Sequence, residues 1–183
     1  DGRRIQIAWG RIGTPGPFNQ CMLFPVSLTL RTTNEGIRMF VEPVAEIKNI
    51  HCKKHTWKNR TLAAGQDLLG GLSGELFHIR GSFEVDSTAD MSFNIRGREV
   101  RYDAASKQLI GRNPAKMEPQ NGVITLEILV DRNSVEIFGN NGRVYMPIGG
   151  RLDENNKKLK LSAKTGDVKV ELLEIYELES AWK

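Results

Sequence analysis

Ser134-Val135-Glu136-Ile137-Phe138, then Gly139-Asn140-Asn141-Gly142, then Arg143-Val144-Tyr145-Met146, reads as two strands around a tight turn. Asn and Gly tolerate the positive φ angles such a turn needs, so the two arms are expected to pair antiparallel. Upstream, residues 122–130 alternate Val123, Thr125 and Glu127 against Ile124, Leu126 and Ile128, and Asp131-Arg132-Asn133 turns that strand into the hairpin. The same period-two pattern predicts strands at 56–63, 74–86, 91–95, 99–103, 158–163 and 168–178. Helix is confined to one short turn at Pro43-Val44-Ala45-Glu46-Ile47-Lys48. Strands this closely spaced, with no helical crossovers between them, cannot be joined in parallel. The chain is therefore expected to be all-β, with two antiparallel sheets stacked as a lectin-like, jelly-roll sandwich.

The first 35 residues are organised differently. Arg4-Ile5-Gln6-Ile7-Ala8-Trp9 reads as one strand, Gly10 to Pro17 as a Gly- and Pro-containing loop, and Cys21 to Leu30 as a second strand interrupted by Pro25. Two such strands bury too little apolar surface to fold alone, which marks them as the tail of a preceding domain.

Composition excludes several function classes. The 183 residues are 39% hydrophobic and 26% charged, with no run near the roughly 18 apolar residues of a membrane-spanning helix. The N-terminal Asp1-Gly2-Arg3-Arg4 has no apolar stretch behind it, so no signal peptide is read here. The net charge of +4 is scattered among acidic residues rather than clustered, which argues against a nucleic-acid partner. Cys21 and Cys52 lack the paired short spacings of a zinc site and read as two buried free thiols, a disulfide being the other reading.

No self-sufficient catalytic constellation emerges. Gly71-Leu72-Ser73-Gly74 is a turn and not a nucleophile elbow. His51 and His55 are spaced for a metal only if helical, and Thr56-Trp57 beyond them reads as strand, so no metal and no cofactor is expected. Glycoside hydrolysis needs one protonated and one ionised carboxyl. Asp86, Asp90, Asp103, Asp131, Asp153 and Asp167 nearly all sit at strand ends, where Asp forms turns. A sugar-binding face would need ring-stacking aromatics. Trp9, Trp57, Tyr102, Tyr145, Tyr176 and Trp182 are available, with Trp57 and Tyr145 the sandwich candidates; core packing is the competing role for each.

Trp9-Gly10, Pro15-Gly16-Pro17-Phe18-Asn19-Gln20, Pro25 and Leu28-Thr29-Leu30-Arg31 resemble glycoside hydrolase family 32, the levanases, inulinases and invertases. The resemblance continues through Gly36 to Ile47, Leu129 to Phe138 and Leu172 to Trp182. It implies a five-bladed catalytic β-propeller followed by a C-terminal β-sandwich. Residues 1–35 would be the remnant of the last blade, 36–49 a linker and 50–183 the sandwich. The family's Trp-x-Asn-Asp-Pro, Arg-Asp-Pro and Glu-Cys motifs do not occur, since the cysteines follow Gln20 and His51, so no catalytic residue is carried over. Trp9 falls where the family places an aromatic near the sugar pocket, which makes it substrate-proximal by resemblance, with Asn19 and Gln20 either beside it or capping the loop. The implied partners are the catalytic propeller of the same parent chain and, through it, fructan or sucrose. Self-association through exposed remnant strands and an extracytoplasmic location are expected as well.

Overall fold

The computed structural model describes residues 1–13 and 18–181. Among these residues sixteen strands follow one another. The first five are β1 Arg4–Gln6, β2 Trp9–Arg11, β3 Gln20–Met22, β4 Val26–Thr33 and β5 Gly36–Pro43. A 3-10 turn over Ala45–Ile50 leads into β6 His51–Leu62, β7 Phe77–Val85, β8 Asp90–Ile95 and β9 Arg98–Asp103. The short β10 Gln108–Ile110 and β11 Ala115–Lys116 precede β12 Val123–Val130, β13 Ser134–Gly139 and β14 Val144–Gly149. β15 Leu159–Thr165 and β16 Val168–Leu178 close the chain.

Two sheets form the sandwich, a six-stranded one in the order β14-β13-β12-β7-β16-β6 and a five-stranded one in the order β11-β10-β9-β8-β15. Their facing sides supply one core. Phe77, Ile79 and Phe83, Ile124, Leu126 and Ile128, and Val135 and Ile137 meet Met91, Phe93 and Ile95, Val100 and Tyr102, and Leu159 and Leu161. The alternation that predicts these strands is the alternation that fills this core. On β16, Val168 and Val170 point inward, yet so do Leu173 and Ile175, which simple alternation would turn outward. A bulge between Val170 and Leu172 absorbs the extra residue, and Glu171, left unpaired in the ladder, accepts a 2.6 Å bond from the Ser82 hydroxyl.

The hairpin forms as expected. Asn140, Asn141 and Gly142 all take positive φ (48°, 54° and 82°), and Phe138 pairs with Tyr145. Several boundaries differ from the sequence reading. The strand expected at residues 4–9 is two, because β1 pairs with β4 while β2 pairs with β3, in different sheets. The strand expected at 21–30 is likewise split, with Pro25 between β3 and β4. The segment 36–49 contains β5, paired over its full length with β4, before the 3-10 turn. β6 begins at His51 because its pairing with β16 continues, through a register shift after Glu177, as far as Leu178. Cys52 is exposed and Cys21 half-buried, both free, so the expected burial of the pair does not hold: β6 is the outermost strand of its sheet. The Pro15–Pro17 part of the first loop and Trp182 lie outside the described residues.

Candidate functional site

The outer face of a sandwich sheet ordinarily meets water, and here half of it does not. Every residue of β13 is buried, on both faces. Its outward side chains, Glu136 and Phe138, lie opposite Leu129 on β12 and Tyr145 on β14. Leu129 and Phe138 form a second core with Val26 of β4 and Val41 of β5, flanked by Phe24, Leu28, Ile47 and Tyr145. The three-stranded sheet β1-β4-β5 therefore packs on the sandwich through an apolar seam.

Polar contacts fix the geometry of that seam. The Val41 amide donates to the Gly142 carbonyl at 2.9 Å, and Arg143 pairs with Glu35 at 3.0 Å. A Cβ on Gly142 would stand 2.2 Å from the Val41 oxygen, and one on Gly149 would stand 2.2 Å from the Arg11 oxygen. Glycine is needed at both places because two backbones approach each other there. Phe24 lies beside Pro25, in the break between β3 and β4, where no neighbouring strand takes its amide. It donates instead to Glu136 Oε1 at 2.9 Å. The other carboxylate oxygen accepts from the Tyr145 hydroxyl at 2.8 Å. Glu136 is completely buried, and burial pushes its carboxyl above the usual glutamate range, against the lowering effect of these two donors. Burial, then the charge of Glu136, pushes the Tyr145 hydroxyl up as well.

The uncovered half of the same outer face holds an open groove of about 280 Å³, lined by Arg80, Ser82, Thr125, Glu127, Asn141 and Glu174 and by the apolar Leu126, Phe138 and Leu172. Glu127 accepts from His78 Nε2 at 2.6 Å, and His78 Nδ1 meets His51 Nε2 at 2.9 Å. His51 stacks on Tyr176 with centroids 4.0 Å apart. Burial, then the proximity of His78, lowers the His51 pKa. His55 bonds Glu177 at 2.7 Å. Lys54 holds Glu174 well below the usual carboxylate range, so this groove offers cations and anions already paired with each other. Sequence reading missed this network, since only the register of β7 against β12 and β16 brings His78 beside Glu127 and Tyr176. Among the described residues no group of three or more His, Cys, Asp or Glu side chains is placed to hold a metal ion.

The aromatics singled out from sequence are not brought together. Tyr145 is on β14, in the seam, its ring stacked on Phe138 at 4.9 Å. Trp57 is on β6, at the opposite edge of the sheet, and packs against the main core from the other face. Tyr102 is buried, its hydroxyl donating to the Met117 carbonyl at 3.1 Å. Trp9 is on β2, opposite Met22 and 58% exposed. Gln20 pairs with Arg11, and the Asn19 carbonyl accepts from the Ile12 amide at 3.0 Å. Trp9 belongs to a conspicuous set. Ile5, Ile7, Trp9, Phe18, Met22, Leu30, Ile37 and Met39, between 45% and 77% exposed, are the exposed large hydrophobics of the described residues, and all of them precede residue 40.

Comparison with known proteins agrees with this architecture. The chain is 31% identical over 213 residues to the levanase of Bacillus subtilis (strain 168), covering 100% of this chain and 32% of the relative. It is also 31% identical over 215 residues to the levanase of Bacillus sp. (strain L7), again covering 100% of this chain but 23% of that protein. The chain thus spans a third or less of these curated relatives. Exo-inulinase from Aspergillus awamori superposes with a TM-score of 0.78 at 22% identity, over 97% of this chain and 41% of that one. Fructan 1-exohydrolase IIa from Cichorium intybus gives 0.75 at 15% identity, over 98% of this chain and 46% of that one. At those identities the likeness concerns the fold. No helix among the described residues is long and apolar enough to cross a membrane. Residues 46–177 match the family described as Glycosyl hydrolases family 32 C terminal, and the chain belongs to that family.

Proposed function

We propose that this chain is the non-catalytic C-terminal part of a secreted or periplasmic fructan hydrolase of levanase type, which covers and stabilises a catalytic β-propeller lying upstream. In this reading the sheet β1-β4-β5 and the pair β2-β3 are the last strands of the propeller, residues 45–50 make the connection, and Trp9 faces the sugar pocket. The observation that carries the reading is the confinement of the exposed large hydrophobics to residues 5–39, while the sandwich beyond has its apolar side chains inside. A surface of that kind belongs against another apolar surface. Several carboxylates speak for a non-catalytic role. Glu46, Glu75, Glu118 and Glu174 are each held low by a lysine or arginine partner and Glu177 by His55 and Lys53, while Glu136, which burial pushes up, is sealed from solvent. A glycosidase acid needs both a raised pKa and access to substrate.

Titrating levan, inulin and sucrose into the purified chain separates this role from that of a sugar-binding module. The expected result is no saturable heat or fluorescence change up to millimolar ligand. Saturable binding that Trp57→Ala weakens would replace the scaffold reading with the module.

A further inference from the structure

We infer that Glu136 is a positioning residue, through which the sandwich sets the place of the β2-β3 pair and hence of Trp9. The inference rests on the reading of Trp9 as facing the sugar pocket. The pair β2-β3 is small, three residues matched with three, and most of its side chains are exposed. Two strands of that size do not hold a fixed orientation by themselves. Two close approaches tie the sandwich to the pair and to the residues beside it. At one end Gly149 abuts the Arg11 carbonyl so closely that no Cβ fits. At the other, directly after β3, the Glu136 carboxylate takes the Phe24 amide. Between Phe24 and Trp9 the backbone is continuous in hydrogen bonding, since the Leu23 amide donates to the Ala8 carbonyl at 2.8 Å and Met22 pairs with Trp9. A buried carboxylate is a costly acceptor for a single amide where an amide or hydroxyl side chain would serve. Its advantage is a second oxygen held by the Tyr145 hydroxyl, which fixes the orientation in which the group meets the Phe24 amide.

The test compares Glu136→Asp, which withdraws the carboxylate by one methylene, with Glu136→Gln, which keeps an acceptor in place. In Glu136→Asp the amides of Ile12, Leu23 and Phe24 are expected to exchange with solvent about tenfold faster, while those of Ile79 and Ile128 in the central strands keep their rates. Glu136→Gln should leave all five near wild type. Unchanged Leu23 and Phe24 rates in Glu136→Asp, or an equal acceleration of Ile79 and Ile128, would overturn the assignment. Should Glu136→Asp fail to fold, Tyr145→Phe, which frees the second oxygen, is read by the same five amides, with an expected acceleration of about threefold. In the parent protein, Glu136→Asp should raise KM for fructan about threefold or more with kcat nearly unchanged, since a displaced Trp9 weakens substrate and transition state alike. An altered exchange pattern with unaltered KM overturns the link to Trp9. A wild-type parent that releases no fructose instead removes the proposed function, leaving the exchange result to stand by itself.

Discussion

Glu136→Ala is expected to destabilise the chain by about 2–4 kcal/mol, whereas Glu136→Gln should stay within about 1 kcal/mol of wild type at neutral pH. Alanine leaves the Phe24 amide and the Tyr145 hydroxyl buried without a partner, at about 1–3 kcal/mol each, partly offset because a buried charge is no longer present. Glutamine keeps an acceptor for the amide and offers a donor to the hydroxyl. The pH dependence has a definite sign. Burial raises the folded pKa of Glu136, so the folded state holds this proton more tightly than the unfolded chain does. Its contribution to stability is complete below the ordinary glutamate range and is lost as pH rises through the raised value. Glutamine cannot titrate. The stability of Glu136→Gln relative to wild type should therefore climb as pH rises through and above the ordinary glutamate range, as measured by urea denaturation at a series of pH values. A difference that is flat or falls over that interval contradicts the assignment of a buried, reluctantly ionised carboxyl.

The isolated chain is expected to self-associate, and Leu30→Lys with Ile37→Lys to make it monomeric. Leu30 and Ile37 are 74% and 65% exposed and lie on one face of the β4-β5 ladder, where Leu30 opposes Met39 and Ile37 opposes Thr32. Each large apolar side chain removed from water is worth about 1.5–3 kcal/mol, so several together outweigh the cost of pairing two molecules at micromolar concentration. The edge of β1, which among the described residues pairs with β4 alone, adds unpaired backbone groups to the same region. Because both substituted positions are exposed, stability should change by less than about 0.5 kcal/mol. Sedimentation at rising concentration distinguishes the two chains, and a wild-type chain that stays monomeric near millimolar concentration refutes self-association through this exposed apolar surface.

Much of the sandwich could be read from residues alone, for a physical reason. Where one face of a strand meets the core and the other meets water, alternation is clean, and the strands at Arg98–Asp103 and Leu159–Thr165 stand within a residue or two of where the pattern places them. The bulge near Glu171 was invisible because it preserves that pattern while slipping its phase. β10 and β11, three and two residues long, are too short to show a period. β5 has its own alternation, Ile37, Met39 and Val41 against Arg38, Phe40 and Glu42, and reads as a linker only when attention goes to its place between two domains. The seam was the hardest part to foresee. Nothing in Leu129, Glu136 or Phe138 by themselves indicates that the outer face of their sheet is covered, because the cover comes from strands roughly a hundred residues away in sequence. For the same reason Tyr145, a plausible sugar platform in sequence, is half-buried in the structure and occupied with Glu136.

If an upstream body cleaves the fructan while this chain supports it, fructose release from levan measures that division of labour most directly. The purified chain should release none, the upstream portion alone little, and the two joined or mixed should release it readily. Fructose release by the 183-residue chain by itself, abolished by replacing one of its own carboxylates, would contradict that division.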